Sequence, residues 1–382
     1  MVGRGRTIQK IPDLPAIHDR RCFQQSITYI IFDETEHHTS LQDVGVIVTE
    51  KCSPDSVARS VREYEGVTRK RDIGELIECL RIQDQPNVVA SFGEDAAVIR
   101  QDGNALLLAA DGIWSKLMEA DPFWAGYCAV LVNVHDIAAM GGTPLAMVDV
   151  LSFTSSTIRS EVTRGMQTAS AQFGVPIVGG HLHPDTPYSV IDVAILGTVR
   201  VDDVIYSSGA RPGDRVIAAI DLDGRVHPSC ILNWDSVTMK SAEEVREQIG
   251  VMQELARRHL VTAGKDISNP GVIGTLGMLL EVSKRGAVIE LDAIPRPDLR
   301  TNNITFEHWV RMYPGMGFIL TCRDEHTDEV CRLFREAGMN AAAIGWIDDT
   351  DTLSVSYEGV TTSVFDLKQE GIMRILDNAR LV

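Results

Sequence analysis

The sequence predicts an α/β protein of two domains, and three observations carry that reading. From Val88 onward, β-like and helical patterns alternate along the chain. A run of turn formers, Gly209-Ala210-Arg211-Pro212-Gly213-Asp214, packs between two β-like runs and makes the best domain boundary. The 382 residues, 44% of them hydrophobic, suffice for more than one core. The expected division is an N-terminal extension over residues 1–54, a first domain over 55–208 and a second over 209–382.

Residues 1–54 read differently from the rest, with a basic start and short β-like runs at 27–32 and 44–48 separated by polar residues. Ser53-Pro54-Asp55 then starts a helix reaching about Tyr64, because Ser53 can accept from free amides of the first turn and Pro54 fits the first helical position. Asp102-Gly103 lies between Ala96-Ala97-Val98-Ile99 and Ala105-Leu106-Leu107-Leu108, a strong hairpin signal. A turn centred there pairs residues whose numbers sum to about 205, which sets Asp111 opposite Glu94 and diagonal to Asp95. Carboxylates therefore converge at the open end of the hairpin. Periodicity then predicts a helix at 124–140, a strand at 147–153, a helix at 160–173 and strands at 176–178 and 190–199. In the second domain it predicts helices at 242–259, 272–284 and 324–337, with strands at 287–291 and 317–321.

With 53 acidic against 36 basic residues, the net charge of -17 repels nucleic-acid phosphates and anionic membrane surfaces, so neither is an expected partner. An acidic protein that binds an anionic nucleotide needs local cations, and carboxylate-held divalent metals supply them. Seven scattered cysteines, odd in number and without a C-x-x-C pair, argue against a disulfide framework or zinc ribbon and fit a reducing cytoplasm. No apolar segment follows the basic start, and the longest apolar stretches are interrupted by Asn133, Asp136 or glycine, so neither a signal peptide nor a membrane span is expected.

Neither common glycine-rich nucleotide loop, G-x-x-x-x-G-K-[ST] or G-x-G-x-x-G, occurs. The most informative segment is the apolar helix at 125–141, where Asn133 and Asp136 share one face. Burying them requires a compensating partner. That partner is either a hydrogen-bonded structural neighbour or a hard cation, for which oxygen ligands are expected.

Read together, Gly93-Glu94-Asp95-Ala96-Ala97, Ala110-Asp111-Gly112, Asn133-x-x-Asp136, Gly179-Gly180-His181 and Lys265-Asp266-Ile267-Ser268 form an ordered series. The series resembles the superfamily of aminoimidazole-ribonucleotide (AIR) synthetase, thiamine-monophosphate kinase, selenophosphate synthetase and the hydrogenase-maturation carbamoyl dehydratase, over roughly residues 60 to 350. The resemblance implies a PurM-like fold in which the N-terminal domains of a homodimer join their strands into a barrel, beside a C-terminal α/β domain. It implies ATP and Mg2+ bound near the domain junction. Asp95, Asp111, Asp136 and Asp266 fall on the family's metal ligands, Asn133 on a supporting ligand or nucleotide contact, Gly179-Gly180 on its Gly-Gly-Asp segment, and Ser268 on a nucleotide contact. Asp111-Gly112-Ile113-Trp114-Ser115-Lys116-Leu117 is similar to the Asp-Gly-Val-Gly-Thr-Lys-Leu of AIR synthetase, which makes Lys116 either a phosphate-binding cation or a surface lysine. Arg69, Lys70 and Arg71 lie where the family often has a mobile loop over the phosphates, and are either phosphate contacts or a solvated charge run.

Departures narrow the expectation. His181 replaces the aspartate of the kinase's Gly-Gly-Asp, is a poorer magnesium ligand, and could instead bind phosphate or act as acid or base. With His183 it makes a His-x-His pair in what reads as a loop, either a transition-metal site or ordinary surface histidines. Asn269 replaces the second aspartate of Asp-Ile-Ser-Asp-Gly, and Ser207 stands where the kinase has arginine. There is no cysteine near Gly66, as selenophosphate synthetase requires, and the chain ends in Val382 rather than the carbamoyl-accepting cysteine. The expectation is an ATP- and Mg-dependent enzyme of the AIR synthetase-related branch, acting on a small-molecule substrate with Lys116 and His181 as catalytic residues. The alternatives are a non-catalytic nucleotide-binding partner and a metal-dependent phosphohydrolase.

Overall fold

A computed structural model describes residues 53–80, 85–184, 186–313 and 315–375. The expected β-like runs at 27–32 and 44–48 lie outside these residues. The described chain opens with α1 (Pro54–Arg62), α2 (Glu65–Thr68), a 3-10 turn (Arg69–Arg71) and α3 (Asp72–Leu80). There follow β1 (Val88–Ala90), β2 (Ala97–Gln101), β3 (Asn104–Gly112), α4 (Ser115–Ala120), α5 (Pro122–Ala139), β4 (Thr143–Ser152), α6 (Ser156–Phe173), β5 (Ile177–His183) and β6 (Val190–Arg200). These strands make one sheet in the order β1-β2-β3-β6-β4-β5, with only β4 and β5 parallel.

The hairpin register is the one the turn dictates. Asp102 and Gly103 both adopt positive φ (49° and 82°), as a two-residue hairpin turn requires, and Ala97 pairs with Leu108 through to Gln101 with Asn104. Pairing stops at Ala97, so Glu94 never reaches the position opposite Asp111. Instead β3 continues alone against β6, placing Asp111 beside Val193.

Helix α5 starts where Asp121 accepts a 3.0 Å bond from the Trp124 amide and Pro122 fills the first position. It packs on α6 closely enough to exclude side chains. A Cβ on Gly126 would lie 2.1 Å from the Val162 carbonyl oxygen, and one on Gly165 2.0 Å from that of Phe123. Gly126→Ala must therefore part the helices, and a loss of about 1–3 kcal/mol in denaturant unfolding is expected. A variant as stable as the parent would refute this close packing.

The second half contains β7 (Arg215–Ile220), β8 (Arg225–His227), β9 (Cys230–Asp235), α7 (Ala242–Arg257), β10 (Ala263–Asp266), α8 (Gly271–Ser283) and β11 (Gly286–Glu290). It ends with α9 (Phe306–Trp309), β12 (Gly317–Cys322), α10 (Thr327–Glu336), β13 (Asn340–Asp348), β14 (Thr352–Tyr357) and β15 (Val360–Asp366). Seven strands form a mixed sheet, β10-β12-β7-β13-β11-β14-β15, and β8 pairs with β9 separately. A continuous apolar cluster runs from Leu107 and Ile195 of the first sheet through Tyr127 and Leu131 of α5 to Leu255 of α7, Phe318 of β12 and Phe334 of α10. It fixes α5 against β10 and β12. No helix among the described residues is long and apolar enough to cross a membrane.

Two expected loops are regular structure. Residues 65–71 are helical, because the Val67 and Thr68 amides both donate to the Tyr64 carbonyl and Val67 is buried in the second apolar cluster. Residues 179–183 extend the expected short strand into β5, since β4 supplies a parallel partner out to Ser152. His181 and His183 are therefore strand residues. Among the described residues the first sheet is open, ending at β1 and β5. Its inner face is covered by α5, on which α6 packs, whereas Leu108, Val148, Val150 and Leu196 on the outer face are 45%, 45%, 43% and 36% exposed.

Candidate metal and nucleotide site

Three of the candidate residues gather where the turn before β2, the last turn of α5 and the end of β10 meet. One ligand oxygen from each of Asp95, Asp136 and Asp266 lies within 4.8 Å of the others, the only such group of three or more His, Cys, Asp or Glu among the described residues. Asp136 and Asp266 are buried, and the Asp95 side chain is 3% exposed. Asp95 reaches this point because its neighbour Glu94 is tied down, accepting from the Ser207 amide and the Ser208 hydroxyl. Ser207 is thus structural; its own hydroxyl donates to the Gly264 carbonyl.

Electrostatics within the cluster are severe. Loss of hydration drives the Asp136 carboxyl well above its ordinary range, and the charges of Asp111, Asp266 and Asp95 push the same way. Asp266 is raised to about 8, by burial and by Asp95, against the opposing charge of Lys265. Asp95 is raised by burial while Lys265 opposes. Asp111 presents an exposed face at the rim, outside the 4.8 Å set, yet dehydration on its protein side raises it too, opposed by Lys70 and reinforced by Asp95. A divalent cation would relieve all four.

The donor set fits such an ion. It is all oxygen, as hard cations require. Asp95 Oδ2 is buried without a hydrogen-bond partner, and so is Asn133 Oδ1 one turn before Asp136. The Asn133 amide nitrogen donates 2.8 Å to the Ala129 carbonyl, so only its oxygen is free for a ligand.

Cations line the approach. Lys70 lies near enough to oppose the upward shifts of Asp95, Asp111 and Asp266. Arg69 and Lys116 both stand over the Trp114 indole, at 5.5 Å and 4.4 Å from its centre. Both charges are exposed, and one aromatic ring thereby draws cations from two segments together. Asn269 lies beneath this helical segment: a Cβ on Gly66 would meet its carbonyl oxygen at 2.5 Å, and the Tyr64 hydroxyl lies 3.5 Å from its Oδ1. The Ser268 amide donates 3.3 Å to the Thr275 hydroxyl.

Gly179, Gly180 and His181 are elsewhere. The row Asp111, Val193, Asp149, Gly180 crosses three strand intervals, roughly 14 Å at about 4.8 Å per strand. Gly179 and His181 share the exposed face with Val148 and Val150, at the sheet's outermost strand. A Cβ on Gly180 would strike the Asp149 carboxylate at 2.1 Å, which explains that glycine locally. The His181 and His183 rings meet edge to face at 4.5 Å.

Two residues that lie within the quoted motifs carry no assigned role in the sequence reading. Lys265, 5% exposed, ion-pairs with Asp95 inside the cluster. Its signal was a lysine between Ala263-Gly264 and Asp266-Ile267, a stretch otherwise fit for burial apart from the aspartate. Trp114 is the other, and its position in the segment similar to AIR synthetase, where that enzyme has glycine, was the visible clue.

Comparison with known proteins places these features in a lineage. Family models for the AIR synthase related protein N-terminal and C-terminal domains match residues 93–199 and 211–358. The uncharacterized protein MJ0640 of Methanocaldococcus jannaschii is 44% identical over 83% of this chain and 98% of its own length. Selenide, water dikinase of Myxococcus xanthus is 26% identical over 59% of this chain and 67% of its own. Among solved structures, Thermotoga maritima PurL complexed with ATP superposes with a TM-score of 0.65 at 17% identity, covering 82% of this chain. This chain spans about half of that one, 51%.

Proposed function

The chain belongs to the AIR synthase related protein family, and from that premise we propose that it is an ATP- and magnesium-dependent enzyme activating an oxygen of a small-molecule substrate by phosphoryl transfer. The observation that carries this reading is the buried Asp95, Asp136 and Asp266 cluster, with an unpartnered carboxylate oxygen and cations at its approach. These aspartates hold the magnesium, with Asp111 at the rim, and the ion supplies charge neutralisation for the triphosphate. Lys70, Arg69 and Lys116 steady the outer phosphates, while Asn133 and Ser268 contact the nucleotide. The substrate oxygen forms a bond to the γ-phosphorus as the bond to the β,γ-bridging oxygen breaks, releasing ADP.

The open sheet supports a homodimer in this proposal. Two copies pairing through the apolar outer face close the strands into a barrel, and Gly179, Gly180 and His181 then lie at the seam between subunits. There His181 serves as a phosphate contact or acid-base group.

Calorimetric titration of ATP with and without magnesium tests the site. Asp111→Ala and Asp136→Ala proteins that retain native circular dichroism are expected to bind ATP about 100-fold more weakly in magnesium, a loss near 3 kcal/mol. Unchanged affinity in both overturns the assignment.

A further inference from the structure

We propose that Lys265 is a built-in counter-ion that takes one cation position of the carboxylate cluster, so that the nucleotide-free protein holds a single divalent ion there. The inference rests on the metal-site reading above and says what that reading leaves open, the number of ions.

Asp95 carries the geometry. One of its oxygens, Oδ1, is engaged by the Lys265 ammonium, and the other, Oδ2, is buried with no partner. In a two-metal site a shared carboxylate commonly gives one oxygen to each of two ions about 3.5–4 Å apart. Here one of those places is filled by a side chain of the protein itself. The backbone holds the ammonium in place: Lys265 is 5% exposed, in β10 immediately before Asp266. A buried lysine needs a carboxylate partner, and Asp95 is the one it has.

Charge agrees with the geometry. The four aspartates and Glu94 contribute five negative charges, and Lys265 and Lys70 two positive, leaving three negative. One divalent ion brings the group to a single negative charge, whereas two would make it net positive before any phosphate arrived. Without Lys265, two divalent ions would give neutrality. The lysine therefore sets the stoichiometry and keeps the remaining place free of a second resident ion.

The test counts manganese ions by the electron paramagnetic resonance of free Mn2+, on the full chain without nucleotide. Only sites abolished by the Asp136→Asn, Asp266→Asn double substitution are counted, which removes weak surface binding. The unsubstituted protein and Lys265→Arg should bind one ion per chain. Lys265→Met should bind two, the first roughly tenfold more tightly. Two ions in the unsubstituted protein, or one ion at unchanged affinity in Lys265→Met, overturns the proposal. The count on the unsubstituted protein decides even if Lys265→Met fails to fold. If no manganese binds at the cluster and magnesium does not strengthen ATP binding, the metal-site reading itself fails and this proposal with it. If ATP binding responds to magnesium while the counts contradict the lysine, only the present proposal fails.

Discussion

Asp136→Asn is expected to raise the melting temperature of the metal-free protein and to abolish its further stabilisation by magnesium with ATP. Most substitutions of a fully packed helix residue destabilise, so the opposite sign is diagnostic. Asp136 sits on α5 at 8% exposure among three other carboxylates, and Lys265 is the cation that opposes its own upward shift. Its carboxyl is raised in the folded state by burial first and by those neighbours next. A raised carboxyl is a penalty that is absent below about pH 4, where the unfolded chain also holds the proton, and grows as pH rises toward neutrality. Asparagine keeps the shape and removes that penalty, so the gain over the parent should widen with pH. In chelator at pH 7.5 a melting temperature above that of the parent is expected, with the difference larger than at pH 5.

The same substitution removes a ligand. At 100 times the dissociation constant, a ligand specific for the folded state adds about 2.7 kcal/mol, and this increment should vanish in Asp136→Asn. Scanning calorimetry of parent and variant, in chelator and in magnesium with ATP, reads both effects. A variant less stable than the parent in chelator, yet still stabilised by magnesium with ATP, would assign Asp136 to structure rather than to metal.

These residues also show what the sequence could reveal. The hairpin register followed from Asp102-Gly103 alone because a two-residue turn fixes pairing locally. Asp136 was conspicuous because an ionisable group in an apolar helix has no local explanation. Lys265 was obscure for the converse reason: its partner Asp95 lies 170 positions away, and only packing of β10 against the turn before β2 joins them. The histidines read as a loop because Gly179-Gly180 has poor strand propensity, and β4 overrode it by offering a partner. Strand β13 escaped notice similarly, since Asn340-Ala-Ala-Ala lacks β-branched residues and is held by β7. In each case a distant strand decided what local preference could not.

The second large effect concerns the outer sheet face. Replacing Val148 by aspartate should convert the proposed dimer to monomer while leaving the proposed metal site intact. Val148 lies beside Ala194, which pairs with Ala110, and the neighbouring row joins Leu196 to Leu108. These rows form an apolar surface on a sheet whose last strand, β5, pairs only with β4 among the described residues. An open edge beside an apolar face is suited to pairing, and in the proposed dimer a second copy would supply both the strand and the apolar complement. Two-fold symmetry brings each substitution into the interface twice. Burying unpaired charge there should cost about 3–5 kcal/mol per site, enough to raise the dissociation constant by more than roughly a hundredfold. Sedimentation velocity at micromolar protein reads the change against the 41.9 kDa chain mass. Manganese binding supplies the internal control. Asp95, Asp136 and Asp266 come from one chain, so Val148→Asp should retain the ion, whereas any step that uses His181 at the seam should be lost with the partner. A parent protein that is already monomeric at these concentrations would remove the barrel from the proposal and leave His181 without a route to the phosphates.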